Sequence, residues 1–215
     1  MYDVIIIGGG PSGASAGRKA GKLGMKTLLL EKEEFPRYKP CAGGLSDHAI
    51  SYLDFELPED IIEWEVTGAK IIFRDQLIEA HKDHRVSALV SRTKFDNFLL
   101  EKAKETGIEV HTGEKALCCR EMPDCIEVDT RQGTYQAKFA IIAEGAQGIV
   151  KTCVRPTDNK DEYGICLVTE IPADKSEIEE RLGKSVEMHF GVAGGGYGWI
   201  FPHKTYYSVG IGGVV

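Results

Sequence analysis

The chain has 215 residues, of which 42% are hydrophobic and 27% charged, with a formal net charge of -7 at pH 7. A modest acidic excess gives no electrostatic basis for holding nucleic acid, and no apolar run approaches the length that spans a bilayer. Ordered sequence begins at residue 2, which leaves no room for a signal peptide, so the expectation is a soluble, cytoplasmic protein.

In chain order, the β-branched run Asp3-Val4-Ile5-Ile6-Ile7 enters Gly8-Gly9-Gly10-Pro11-Ser12-Gly13. A helical stretch to Gly24 follows, then a second apolar run, Thr27-Leu28-Leu29-Leu30, that ends at Glu31. Strand, glycine turn, helix and strand make a complete βαβ unit of the kind that binds a dinucleotide. Gly8 permits the tight turn, Gly10 lets backbone approach a pyrophosphate, and Gly13 lets helix and sheet pack closely. Pro11 and Ser12 open the helix whose N-terminus faces the phosphates. Glu31, at the end of the second strand, stands where a carboxylate accepts hydrogen bonds from an adenosine ribose.

Residues 46–53 read as a helix with Ser46 as its N-cap, residues 64–73 as a strand, and residues 85–90 as another. Residues 93–106 form the clearest amphipathic helix, with Phe95, Phe98, Leu99 and Ala103 on one face and Gly107 as C-cap; residues 108–111 follow as a parallel strand. Short β segments come next at 115–120, 125–130 and 134–136. The apolar run Phe139-Ala140-Ile141-Ile142-Ala143 then reads as a buried central strand. Beyond residue 150 the pattern changes to antiparallel strands at 163–171, 185–190, 197–201 and 206–215. The expected division is a nucleotide-binding domain over 1–150, with a short β insertion around 64–90, and an incomplete β-rich domain over 151–215. The last strand reads as one that ends inside a larger, C-terminally truncated architecture.

Cys41, Cys118, Cys119, Cys125, Cys153 and Cys166 show neither CxxC spacing nor the framework of a secreted domain. The vicinal Cys118-Cys119 pair cannot readily bridge, and all six read as reduced, mostly buried thiols. No His/Cys/Asp grouping has metal-ligand spacing, so no metal is expected.

The GGGPSG turn and Glu31 are joined by the loop Lys39-Pro40-Cys41-Ala42-Gly43-Gly44-Leu45-Ser46, by Arg92 at the head of Arg-Thr-Lys-Phe-Asp, and by the turn Ala143-Glu144-Gly145-Ala146. With Gly196-Tyr197-Gly198-Trp199-Ile200-Phe201-Pro202, these segments resemble the FAD-dependent geranylgeranyl reductase family of the aromatic-hydroxylase-like flavoproteins. The resemblance implies an α/β fold: a Rossmann-like, glutathione-reductase-type FAD-binding domain joined to a partial antiparallel β-rich substrate domain. It implies FAD as cofactor and an oxidoreductase that saturates isoprenoid C=C bonds in membrane-lipid or chlorophyll precursors. The cofactor set it implies is Gly8, Gly10, Pro11, Ser12, Gly13, Glu31, Cys41, Ala42, Gly44, Arg92, Glu144 and Gly145, with the backbone of Ala116 meeting the adenine.

The same resemblance puts Cys41 at the flavin ring and Tyr197 and Trp199 in a prenyl cavity, so these three form the expected catalytic set. Cys41 and Tyr197 are both candidate proton donors. Tyr197, Trp199 and Phe201 alternate on one strand face, with plain core as the alternative reading. A prenyl lipid substrate, an electron donor that is NAD(P)H or a ferredoxin-like protein, and contact at a membrane surface complete the expectation. Glu144-Gly145 departs from the Asp-Gly usual in the superfamily, and a third flavin segment would lie beyond Val215. Two other readings stay open: a flavin monooxygenase or halogenase-type enzyme on the same scaffold, and a catalytically incompetent cofactor-binding piece.

Overall fold

The computed structural model describes residues 1–155, 159 and 163–214. Strand β1 (Tyr2–Ile7), helix α1 (Pro11–Lys22) and strand β2 (Thr27–Leu30) form the expected βαβ unit. The two strands are parallel, with Val4 opposite Thr27 and Ile7 opposite Leu30. Alternation then splits their side chains between two layers. Val4, Ile6 and Leu29 cluster with Leu100 and Ala103 of α3 (Arg92–Lys104), while Ile5, Ile7, Leu28 and Leu30 cluster with Val128 and Ala137. Both faces of β2 are covered, which is why an unbroken apolar run is tolerated there.

The sheet is completed by β8 (Glu109–His111), β9 (Cys118–Glu121), β10 (Ile126–Asp129) and β11 (Thr134–Ile142), in the order β8-β2-β1-β11-β10-β9. The segments 134–136 and 139–143 are thus one strand. Its run Phe139-Ala140-Ile141-Ile142 is not buried on both faces, because Phe139 is 64% and Ile141 40% exposed. Their register partners Val4 and Ile6 lie in the helix-side cluster, and among the described residues that cluster does not extend to β11.

A second unit holds a three-stranded sheet, β3-β7-β4, from β3 (Gly44–Ser46), β4 (Ile62–Val66) and β7 (Ser87–Val90). Its six-stranded sheet runs β12-β15-β14-β13-β5-β6. These are β5 (Gly68–Phe73), β6 (Gln76–His81), β12 (Gly164–Pro172), β13 (Ser185–Phe190), β14 (Tyr197–Pro202) and β15 (Tyr206–Val214). The strand expected over 64–73 is therefore two strands in different sheets. Thr67 and Gly68 both donate their N–H to the Lys184 carbonyl, and the chain changes sheet at that point. Strand β6 is absent from the sequence expectation, since all its residues are exposed and leave no buried-face pattern. The helix expected over 46–53 is a single turn, α2 (Asp47–Ile50), capped by the Ser46 hydroxyl, which accepts from Ala49 N–H at 3.1 Å. Helix α4 (Lys175–Leu182) lays Ile178 and Leu182 on Trp64, Val66, Leu89 and Tyr207.

The parallel pairing of β5 with β13, Gly68 opposite Ser185 and Phe73 opposite Phe190, redraws the expected domain boundary. Met1–Tyr38 and Thr93–Thr157 form one compact unit, and Lys39–Arg92 with Asp158–Val215 the other. Residues 39–92 join the C-terminal strands through sheet hydrogen bonds instead of sitting within a 1–150 domain.

Candidate cofactor and active site

In the first unit, β1 ends into Gly8 at φ +106, a conformation open to glycine, where a Cβ would lie 2.5 Å from the Ala143 carbonyl oxygen. A Cβ at Gly13 would overlap the Gly8 carbonyl, so helix and strand meet backbone to backbone. Pro11 occupies the first turn of α1, no side chain caps this helix and no acidic residue stands in that turn. Its N–H groups and positive dipole end are left for an anion.

Arg37 was not among the expected site residues. Its Nη2 pairs with Asp96 at 2.9 Å, its guanidinium lies 4.7 Å from the Phe35 ring centroid, and Nη2 is 3.7 Å from where a Gly10 Cβ would be. Its Nη1 is buried with no hydrogen-bond partner. Buried donors are nearly always paired, and beside an uncapped helix N-terminus a pyrophosphate oxygen is an acceptor of the right charge.

Glu31 is 5% exposed, with Oε2 accepting from Gly9 N–H at 2.6 Å and Oε1 from Glu33 N–H at 2.9 Å. Its backbone is fixed as well: Glu31 N–H donates to the His111 carbonyl and Glu114 N–H to the Glu31 carbonyl. A carboxylate offers about four lone-pair positions, so capacity remains for ribose hydroxyls. Glu31 lines a cavity with Gly8, Lys115, Ala116, Glu144 and Gly148. Glu144 spends one oxygen locally, since Oε1 accepts from Lys151 N–H at 2.8 Å, and it holds the turn that begins at Gly145. The first unit therefore gathers Gly8, Gly10, Pro11, Ser12, Gly13, Glu31, Ala116, Glu144 and Gly145 around one end of its sheet, and these residues fit a dinucleotide.

The cysteine loop and the aromatic strand lie together in the second unit. Cys41 is exposed and its Sγ accepts from Gly43 N–H at 3.4 Å. Gly43 takes φ +78 and its carbonyl accepts from Val90 N–H at 3.0 Å. A Cβ on Gly44 would be 3.6 Å from Phe201 Cε2, so the loop runs beside the aromatic face of β14. Arg92 is half-buried and is the first residue of α3.

His203, also unexpected from sequence, fastens the loop. It is 1% exposed, stacks on Tyr206 with centroids 4.4 Å apart, donates from Nε2 to the Ala42 carbonyl at 3.1 Å, and places Nδ1 2.7 Å from Glu63 Oε2. A carbonyl only accepts, so Nε2 is the donor in the bond to Ala42. Neither Arg37 nor His203 belongs to a motif; each is an isolated polar residue whose partner lies far along the chain.

The two catalytic-set aromatics have different surroundings. Tyr197 is 41% exposed and stands in a row with Phe190 and Phe73 across three strands. Its ring is 5.6 Å from that of Phe190 and 6.1 Å from that of Trp199. Trp199, one row along, is buried over Gly210, where any Cβ would overlap the indole. Of the six cysteines only Cys119 is buried; Cys41, Cys153 and Cys166 are exposed, because they sit in a loop, a turn and an edge strand instead of the core.

A family model described as FAD binding domain matches residues 1–190. The chain belongs to the FAD binding domain family. FAD is thus the dinucleotide, and the Rossmann-type flavoprotein fold expected from the sequence is the fold observed. The chain is 28% identical over 222 residues to digeranylgeranylglycerophospholipid reductase of Methanocaldococcus jannaschii, covering 99% of this chain and 55% of that protein. A geranylgeranyl bacteriochlorophyll reductase-like protein from Thermoplasma acidophilum superposes with a TM-score of 0.87 at 26% identity, over 99% of this chain and 56% of that one. Halogenase PltM in complex with phloroglucinol and FAD gives a TM-score of 0.76 at 20% identity over 99% of this chain and 52% of that one, a likeness of fold alone. This FAD binding domain chain spans about half the length of the curated relatives it matches.

Proposed function

We propose that the protein containing this chain is a FAD-dependent oxidoreductase that reduces C=C bonds of isoprenoid chains, those of membrane-lipid precursors in particular. The observation that carries this reading is the cysteine loop meeting the aromatic strand at Phe201, on the same strand whose Tyr197 stands in an exposed row with Phe190 and Phe73. Bound FAD, once reduced, supplies a hydride. An isolated alkene accepts hydride poorly, so the protein must hold it in place, keep water away and donate a proton to the second carbon. The aromatic row offers a prenyl chain apolar area with a polar edge, and Tyr197 within it and Cys41 in the loop are the two candidate proton donors. Trp199, packed over Gly210, sets the back of that surface.

On the cofactor side, the α1 N-terminus with Gly8, Gly10, Pro11, Ser12, Gly13 and Arg37 takes the pyrophosphate, Glu31 the ribose, and the Ala116 backbone the adenine. Glu144 and Gly145 shape the turn opposite. The flavin-side roles of Cys41, Ala42, Gly44 and Arg92 rest on the family resemblance. A prenyl lipid is insoluble, so its uptake belongs at a membrane surface; among the described residues no helix is long and apolar enough to cross a membrane. The electron donor in this reading is NAD(P)H or a ferredoxin-like protein.

The test is a spectrum and a turnover. Purified full-length protein should show bound flavin, bleach with dithionite, and reoxidise on addition of a geranylgeranyl lipid with saturation of its double bonds. Reoxidation by oxygen alone, with a hydroxylated or halogenated product, would favour monooxygenase or halogenase chemistry instead.

A further inference from the structure

Two cysteines that the cofactor reading leaves unused meet within the first unit. Cys118 opens β9, Cys153 closes the 3-10 turn Val150–Cys153, and their Sγ atoms are 2.7 Å apart. The backbone holds them there. Val150 is buried in the same apolar cluster as Ala116 and Cys119, and the turn packs on β9. Cys119 is 3% exposed in that core, on the opposite face of the strand, so it does not compete for Cys153. Cys153 is exposed and Cys118 partly so, which gives a small molecule access to the pair. Both cysteines adjoin the cavity: Lys115 and Ala116 lead into Cys118, and Gln147, Gly148 and Ile149 lead into the turn that ends at Cys153.

We propose that Cys118 and Cys153 form a reversible disulfide, a modification site that ties together the two segments lining the adenosine-side cavity and slows release of the dinucleotide. The effect on release rests on the cofactor reading above; the disulfide itself does not. The oxidant is a low-molecular-weight disulfide. The Cys153 thiolate attacks one of its sulfurs, forming a mixed disulfide and expelling one thiol. Cys118 then gives its proton to solvent and attacks the Cys153 sulfur, expelling the second thiol. Two electrons leave the protein as one S–S bond forms, and the small disulfide is reduced to two thiols. Contact with Cys153, and then burial, hold the Cys118 thiol above its ordinary range, which leaves the first attack to Cys153.

The FAD-loaded protein, equilibrated with glutathione disulfide or with dithiothreitol, is mapped by mass spectrometry without reduction, while flavin fluorescence follows FAD release on dilution. The expected result is one linked peptide containing Cys118 and Cys153, reversed by dithiothreitol, with FAD release several-fold slower in the oxidised protein. Cys118→Ser should stall as a mixed disulfide on Cys153. An unchanged thiol count, a link through Cys119 or Cys125, or a link between chains would overturn the pair. A Cys118–Cys153 link that leaves FAD release unaltered, in a protein whose release Glu31→Ala accelerates, would overturn the tie across the cavity. Release indifferent to both changes would remove the cavity as the FAD site, while the linked peptide would still establish the disulfide.

Discussion

At the scale of single residues, Glu31 separates cofactor binding from local architecture. Its carboxylate accepts from Gly9 and Glu33 N–H groups, and the remaining capacity is assigned to the ribose. Glu31→Ala should lower FAD affinity by about 10- to 100-fold, the worth of a lost charge-assisted bond of roughly 1.5–3 kcal/mol, read by fluorescence titration of apoprotein. Glu31→Gln, which keeps one acceptor oxygen, should lose less. Equal affinity in all three proteins would mean that the carboxylate serves only the Gly9 turn.

His203 supports a different expectation. Replacing it with Leu removes the bond to the Ala42 carbonyl and one partner of a Glu63 that Tyr206 also contacts, so stability should fall by about 3 kcal/mol in urea denaturation. Alkylation of Cys41 under native conditions should accelerate as the loop loosens, and an unchanged rate would mean that Gly43 and Val90 suffice to hold it. Glu31 was legible in the sequence because strand, turn and carboxylate follow one another in a short stretch. His203 was not, since Glu63 stands 140 residues away and no local pattern joins them.

Among the elements, β8 and the adjoining sheet edge carry a charge network that sets a pH dependence. The Tyr2 hydroxyl donates to Glu109 at 2.8 Å, and His111 reaches Glu109 through Nε2 at 2.8 Å and Glu114 through Nδ1 at 2.7 Å. Burial opposes the His111 imidazolium, but the bonds to Glu114 and Glu109 outweigh it and hold its pKa above the ordinary 6.5. Burial likewise opposes the Glu114 carboxylate, and bonds from Thr130 and His111 hold it below 4.5. Burial and the bond to Glu109 push the Tyr2 phenol up to about 12. A raised histidine stabilises the fold fully below 6.5, and that contribution is lost as pH rises through the higher folded value. The lowered carboxylates act in the opposite direction, stabilising above 4.5 and losing their contribution as pH falls through their folded values. Urea midpoints should therefore decline as pH climbs past 6.5, and His111→Gln should flatten that limb. A decline of the same slope in the variant would place its origin elsewhere.

The same edge was foreseen as a parallel strand after a helix, from periodicity alone. What periodicity could not supply was coverage: Phe139 and Ile141 are apolar yet open, because hydrophobicity in a strand does not say which layer reaches it. Nor could it show that the alternation through Trp64 and Ile71 crosses from one sheet to another at Thr67.

For the molecule as a whole, each unit is assembled from two separated stretches of chain, and the pairing that decides this, Gly68 with Ser185, leaves no local trace in the sequence. The same sheet has a long edge. Strand β12 pairs only with β15, so among the described residues one side of its backbone is unpartnered. On one face it carries Ile165, Leu167 and Ile171, which are 58%, 71% and 47% exposed, with Ile211 opposite Leu167 in register. Helix α4 packs its Ile178 and Leu182 near Tyr207, and Leu167 lies outside that cluster. An exposed, apolar edge of nine residues is a template for a strand from another copy. The 215-residue chain expressed by itself should therefore associate in a concentration-dependent way in sedimentation velocity. Leu167→Lys should weaken that association by placing a charge in the stripe, while changing folding stability by no more than about 0.5 kcal/mol, since the side chain is exposed. Association that persists unchanged in the variant would move the contact to another surface, with the uncovered Phe139 and Ile141 of β11 the next to substitute.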